Sequence, residues 1–206
     1  CTLPNALASD PYLKQVVART LEAGLRGKLT ANVQWNAGVF RTINQDDILF
    51  ISSGTSAGYF TNFGQTRRQG IEAAISGKNN RWNWAANYSL VDATFQSSAF
   101  LSAENNSSRG TEVGAADDEI SVKPGQHLPG IPRHSLKLSA EYADDGWAAG
   151  ANLLAFSRQY ARGNENNQHS PGSVTNNFGN TRTFLGSGTA PGYAVLNVHA
   201  RMQLAP

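Results

Sequence analysis

The sequence predicts an all-β fold, a portion of an antiparallel up-and-down transmembrane β-barrel with about seven strands. Two observations carry this reading. Apolar and polar residues alternate with period two in segment after segment, and the connections between those segments alternate strictly between short and long. A third is composition: 20 glycines and abundant Asn, Ser and Thr among 206 residues mark a turn-rich chain, with only 16% charged residues.

The segments follow in order. Weak alternation covers 16–26. Over 31–39, Ala31, Val33, Trp35, Ala37 and Val39 share one face, opposite Asn32, Gln34, Asn36 and Gly38. Ile71, Ala73 and Ile75 then oppose Glu72, Ala74 and Ser76, and Trp82, Trp84, Ala86, Tyr88 and Leu90 oppose Asn83, Ala85, Asn87 and Ser89. Leu136, Leu138, Ala140 and Tyr142 are set against Lys137, Ser139 and Glu141. Contrast weakens over 147–156 and returns where Ala194, Leu196, Val198, Ala200 and Met202 face away from Asn197, His199, Arg201 and Gln203.

Short polar turns are expected at Arg26-Gly27-Lys28, Lys78-Asn79-Asn80 and Ala143-Asp144-Asp145-Gly146, whose Gly, Asn and Asp suit tight hairpins. Long loops are expected over 41–65, 96–132 and 157–191. Strand, short turn, strand, long loop is the plan of an outer-membrane barrel with short periplasmic turns and long extracellular loops. Trp82, Tyr142 and Trp147 fall beside the short turns, where an interfacial aromatic girdle sits. Near the start, Asp10-Pro11-Tyr12-Leu13 leading into 14–20 is compatible with a single helical turn.

The remaining bulk properties exclude other classes. A net charge of +2 with scattered Lys and Arg is no footprint for nucleic acid. No window approaches roughly 18 consecutive apolar residues, so no transmembrane helix is expected. The mean hydropathy of -0.39 would fit a soluble protein, but strands that are apolar on one face alone keep this average low in lipid. Cys1, the single cysteine, fits either a lipid-anchored start or half of a disulfide with an upstream partner. Because seven strands do not close a barrel, further strands are expected outside this chain, and 206 residues read as one partial barrel domain.

Chemistry is sparse. His127, His134, His169 and His199 show no metal-ligand spacing, and one thiol makes no Cys/His cluster. Asp46-Asp47 and Asp117-Asp118-Glu119 lack the spacing of a calcium loop and read as solvated loops. Gly186-Ser187-Gly188 lacks the strand-to-helix setting of a nucleophile elbow. No catalytic residue, metal site or cofactor is expected, and the chain reads as a non-enzyme. Glu22, Arg26, Glu72, Lys137, Glu141, His199 and Arg201 are expected on the wet inner face. Arg158, Tyr160 and Arg162, in a long loop, are the candidate contacts for an anionic, aromatic ligand.

Several stretches together resemble the C-terminal barrel region of TonB-dependent outer-membrane receptors. They include Asp10 to Leu13 leading into Ala18 to Gly27, and Phe40-Arg41-Thr42 with Asp46 to Ile51. They continue with Gly58-Tyr59-Phe60-Thr61-Asn62, Gly64 and Thr66 to Glu72, then Asn87-Tyr88-Ser89 with Asp92 to Phe95. Pro124-Gly125, Leu128 to His134 and Arg162 to Asn166 complete the set. The Asn-x-Gly followed by Arg-x-Gly-Ile-Glu is the most specific. The resemblance covers essentially the whole chain. It implies a plugged barrel on the order of 22 strands in a Gram-negative outer membrane, importing a ferric siderophore or similar scarce chelate with energy relayed by TonB. The plug, the TonB-contacting segment and the final hairpin are missing from this sequence. The implied partners are outer-membrane lipid, the plug, the other strands, TonB and the chelate. In the implied register Cys1 sits in an extracellular loop, where a disulfide to an absent partner fits. A passive porin, needing neither plug nor TonB, is the alternative, and a soluble β-sandwich a third reading.

Overall fold

The computed structural model describes residues 12–52 and 58–204. Seven strands form one antiparallel sheet: β1 (Val17–Thr30), β2 (Val33–Ser52), β3 (Gly58–Asn79), β4 (Trp82–Phe95), β7 (His134–Asp144), β8 (Trp147–Phe156) and β13 (Tyr193–Met202), each beside the next in this order. Three small hairpins lie in the loops and pair β5 (Ala99–Ser102) with β6 (Glu119–Val122), β9 (Gln159–Tyr160) with β12 (Thr189–Ala190), and β10 (Gly172–Thr175) with β11 (Thr181–Phe184). Among the described residues β1 and β13 are paired on one side only, so the sheet is open. It is a single sheet whose large apolar residues are exposed on one face, which overturns the sandwich reading, since a sandwich would cover that face.

The register explains the alternation. Trp35, Ile75, Ala86, Leu138, Leu153 and Leu196 form one unbroken row across six strands. The neighbouring row on the opposite face is polar apart from Ala85: Lys28, Gln34, Ser76, Ala85, Ser139, Asn152 and Asn197. A one-residue slip would put every apolar side chain on the polar face, so the pattern holds the register. The polar face is concave and encloses an open cavity of about 630 Å³ lined by Lys28, Gln34, Asn83, Glu141, Asn152 and His199. His199 Nε2 lies 3.2 Å from Glu141 Oε2, and Arg201 donates to Glu141 Oε1 at 3.2 Å. Pairing places Glu22, Arg26, Glu72 and Lys137 on this same face.

On the apolar face, near the short turns, Trp82 and Tyr142 meet edge to face at 5.2 Å, and Tyr142 and Trp147 lie 5.3 Å apart with their rings tilted. Arg81 fixes the cluster by donating to Tyr142 Oη at 3.1 Å and to Asp144 at 2.8 Å. The turns fall at Asn80-Arg81 and Asp145-Gly146, close to expectation, and Asn80 and Gly146 both take positive φ there. The first turn differs. It occupies Ala31-Asn32, and β1 runs on through Arg26-Gly27-Lys28. Gly27 serves packing rather than the turn, because a Cβ there would sit 3.2 Å from the Trp35 indole nitrogen. The expected helical turn near the start is also absent among the described residues: residues 12–16 are irregular and Val17–Thr20 are strand, while Asp10 and Pro11 lie outside the described residues, as does Cys1.

The expected loop over 41–65 is mostly strand, with β2 and β3 paired up to Ser52 and Gly58. Alternation is lost there because apolar residues fall on both faces, with Ile48 and Phe50 exposed and Leu49, Tyr59 and Phe63 in a buried cluster, while the backbone ladder continues. Asp46, at φ 51, reverses which face its successors occupy. Asp47 therefore turns to the concave side, where it accepts hydrogen bonds from Thr66, from Asn44 (3.3 Å) and from Arg68 (3.3 Å). Leu49 and Tyr59 join a buried cluster of Phe63, Phe95, Leu101, Ile120, Val122 and Leu128 that seats the β5–β6 hairpin on the upper sheet.

Candidate functional site at the loop end

At the long-loop end of the sheet, two expected ligand contacts come together and one does not. A cavity of about 250 Å³ is lined by Val91, Ala93, His127, Ile131, Arg133, His134, Ser157, Arg158, Gln159, Tyr160 and Thr189. Arg158 and Tyr160 are in this wall. Arg162 is exposed outside it, two residues past β9.

The cavity is built on strand ends. Tyr160 is held by the β9–β12 pairing with Thr189, and its carbonyl accepts the Gly130 N–H at 2.9 Å. Its ring stacks on His127 at 6.0 Å, with the planes 12° apart. Asn167, at φ 59, clamps the His127 backbone from both sides, accepting its N–H at 2.5 Å and donating to its carbonyl at 3.0 Å. Ser157 Oγ accepts the His134 N–H at 3.0 Å, and Tyr88 Oη lies 2.8 Å from His134 Nδ1. The stacked pair, Arg158 and Arg133 thus line one cavity. One carboxylate, Asp92, balances several donors beside it: Arg67 at 3.7 Å, His127 at 3.7 Å and Arg133 at 4.0 Å. Among the described residues Arg158 has no ion-pair partner and is exposed. The arrangement suits a planar, anionic ligand held by stacking and by guanidinium groups. Among the described residues no three His, Cys, Asp or Glu side chains group together as metal ligands.

Sequence reasoning did not gather His127, Arg133 and His134 into this site. His127 and His134 carry no metal-ligand spacing, and nothing local in the sequence indicates that 127–134 folds against 157–160. The acidic clusters also depart from the solvated-loop reading. Asp47 is buried: burial pushes its carboxyl up, but the Thr66 hydrogen bond, the Arg68 charge and the Asn44 bond outweigh that and leave it below its ordinary value. Asp117 is held low by hydrogen bonds from Asn180 and then Asn176, with Arg109 at 3.8 Å adding to them.

The two long loops are joined by asparagines. Asn106, fully buried, donates to the Gly163 carbonyl at 2.7 Å and to Asn166 at 3.3 Å, while Asn166 donates to Ser108 Oγ at 2.7 Å. Ser107 N–H donates to His169 Nδ1 at 2.9 Å. This polar seam between 106–108 and 163–170 holds the site's surroundings in place.

An open antiparallel sheet, apolar outside, polar on its concave side, with short turns at one end and a polar loop layer at the other, is a section of wall from an outer-membrane-type β-barrel. Residues 2–205 match the family model for the TonB-dependent receptor-like β-barrel, and the chain belongs to that family. The family comprises receptors and transporters of Gram-negative outer membranes rather than enzymes. Similar solved structures include the ferric-catecholate import receptor Fiu from K12 E. coli, 19% identical with a TM-score of 0.57, matching 94% of this chain and 22% of that one. The siderophore receptor PiuA from Acinetobacter baumannii is 18% identical with a TM-score of 0.57, matching 91% of this chain and 22% of that one. The copper transporter OprC is 19% identical with a TM-score of 0.56, matching 94% of this chain and 23% of that one. The chain therefore spans less than a quarter of these structures. No curated protein matches it.

Proposed function

We propose that this chain is part of the barrel wall of a TonB-dependent receptor in a Gram-negative outer membrane, and that the whole receptor takes up an anionic metal chelate such as a ferric siderophore. In this reading residues 1–206 are one partial barrel domain. Strands elsewhere in the protein close the sheet, a plug domain fills the lumen, and TonB drives transport through a segment outside this chain. The observation that carries the substrate class is that the His127–Tyr160 stack, Arg158 and Arg133 line one cavity at the loop end. Among the similar solved structures PiuA is named a siderophore receptor and Fiu a ferric-catecholate import receptor, which fits this class, although OprC is named for copper.

The test uses the full-length receptor containing this chain and the ferric complex of 2,3-dihydroxybenzoate as an aromatic anionic probe. Arg158→Gln and Tyr160→Ala each weaken binding by about ten-fold, the loss of one charge-assisted or stacking contact. Arg162→Gln, outside the cavity, leaves it unchanged. Equal binding by all three variants and the parent would remove the site. Sequencing the gene on both sides of this chain tests the receptor reading independently, since a passive porin would encode no plug.

A further inference from the structure

His127 carries the ring that stacks on Tyr160, and its backbone is held by a side chain where a strand would ordinarily stand. It lies opposite Thr94 as an isolated bridge at the top of β4, but the ladder bonds there belong to its neighbours. Phe95 N–H donates to the Gln126 carbonyl and Leu128 N–H to the Ala93 carbonyl, both at 2.9 Å. In such a pair the central residue's own N–H and C=O point away from the adjacent strand. On that far side Asn167 Oδ1 accepts the His127 N–H at 2.5 Å, and Asn167 Nδ2 donates to the His127 carbonyl at 3.0 Å. A primary amide offers one acceptor and one donor in a plane, as a peptide unit does, so it can satisfy both groups at once.

The same short turn reaches the other ring. The Asn167 N–H and Nδ2 both donate to the Asn164 carbonyl, at 3.0 and 3.1 Å. Asn164, itself buried, donates from Nδ2 to the Gly188 carbonyl at 2.9 Å, and that carbonyl also accepts the Ala161 N–H at 2.9 Å. Gly188 leads directly into Thr189, which pairs with Tyr160. Residues 164–167 therefore bracket the stack, with one arm on the backbone of His127 and the other on the strand beside Tyr160. Both asparagines lie outside the cavity wall, so they act through the rings.

We propose that Asn167 and Asn164 are positioning residues that make the loop-end cavity selective for ligands carrying a flat aromatic ring over anionic ligands without one. This rests on the reading of that cavity as the ligand site. The two rings come from separate loops, so their placement 6.0 Å apart with planes 12° from parallel depends on contacts such as these. Stacking is lost when rings tilt or slide, whereas the attraction of Arg158 and Arg133 for an anion falls slowly with distance. Loosening the bracket therefore costs an aromatic ligand more than an aliphatic one.

The experiment uses the full-length receptor containing this chain and two probes, the ferric complex of 2,3-dihydroxybenzoate and ferric citrate, which has no ring, and reads the ratio of their dissociation constants. Asn167, at φ 59, is replaced by glycine, which keeps the left-handed backbone and removes only the amide. Asn167→Gly is expected to weaken the aromatic probe about five-fold and citrate less than about two-fold. Asn164→Ala, which severs the arm to Gly188, is expected to shift the ratio in the same direction. A receptor that is merely destabilised loses capacity for both probes and leaves the ratio alone. An unchanged ratio in Asn167→Gly, or in Asn164→Ala where the glycine variant does not fold, overturns the proposal. Arg158→Gln, measured alongside, is expected to weaken both probes. If it weakens neither, the cavity reading fails and this proposal with it; if it weakens both while the ratio stays fixed in Asn167→Gly, the positioning role alone is refuted.

Discussion

Replacing Leu138 with lysine sets the membrane reading against a soluble one in a single measurement. Leu138 lies on β7 midway between His134 and Tyr142, in the row shared with Ala86 and Leu153. The span from His134 to Tyr142 covers about 20 Å of height at the rise and tilt of barrel strands, which puts Leu138 about 10 Å from either end of the apolar band. A lysine on the lipid face at that depth costs roughly 2–4 kcal/mol. Its neighbour Ser139 points to the opposite face, opposite Ala85 and Asn152, where a lysine remains in water and costs under about 0.5 kcal/mol. The assay is reversible denaturant unfolding of the full-length barrel in phosphatidylcholine vesicles, followed by tryptophan fluorescence. The expected difference between Leu138→Lys and Ser139→Lys is about 3 kcal/mol, more than a hundred-fold in the folding equilibrium. Equal effects, or Ser139→Lys proving the costlier, would refute the assignment of faces and with it the membrane-embedded wall.

Three further outcomes are expected. Gly77→Val destabilises the barrel by about 1–3 kcal/mol in the same unfolding assay, because a Cβ at Gly77 meets the Trp84 indole at 2.6 Å and the ring has to leave its place. Asp47 has a carboxyl held below its ordinary value of 3.8, so its contribution is present above that value and is lost as pH falls through the lowered one. A pH series on the parent and on Asp47→Asn should therefore show the two stabilities converging only in acid, and a gap that persists there would contradict the account. Asn106→Ala leaves the Gly163 carbonyl and Ser108 without their partner, at about 1–3 kcal/mol, and mass-spectrometric hydrogen exchange should rise in 163–170 as well as in 106–108. Exchange confined to 106–108 would mean that the loops are not coupled.

Much of the wall was legible in the chain because one face meets an apolar surrounding and the other water, which writes the strand period directly into residue type. The seven alternating segments are the seven strands of the sheet, and Trp82, Tyr142 and Trp147 meet where the short turns placed them. Composition stops being informative where both faces carry apolar residues. The extensions of β2 and β3 beyond Arg41 and Thr66 are hidden for that reason, since Ile48 and Phe50 stay exposed while Leu49, Tyr59 and Phe63 pack under the β5–β6 hairpin, and the period of two is lost. Gly27 misled the turn assignment because a glycine that makes room for Trp35 and one that turns a hairpin are the same letter.

The loop-end site marks the limit. Arg158 and Tyr160 are legible as a cation and a ring in a long loop, but Arg162, two residues past Tyr160, looks no different. Only the β9–β12 pairing, the Asn167 clamp and the stacking of His127 on Tyr160 separate them, and each is a contact between segments some thirty to forty residues apart along the chain. The sequence by itself determined the strands, their faces and the alternation of turns and loops, because these depend on each residue's own solvent. The tertiary structure alone decided the turning inward of Asp47 and the membership of the cavity, because these depend on backbone geometry and on loop docking, to which residue type is blind.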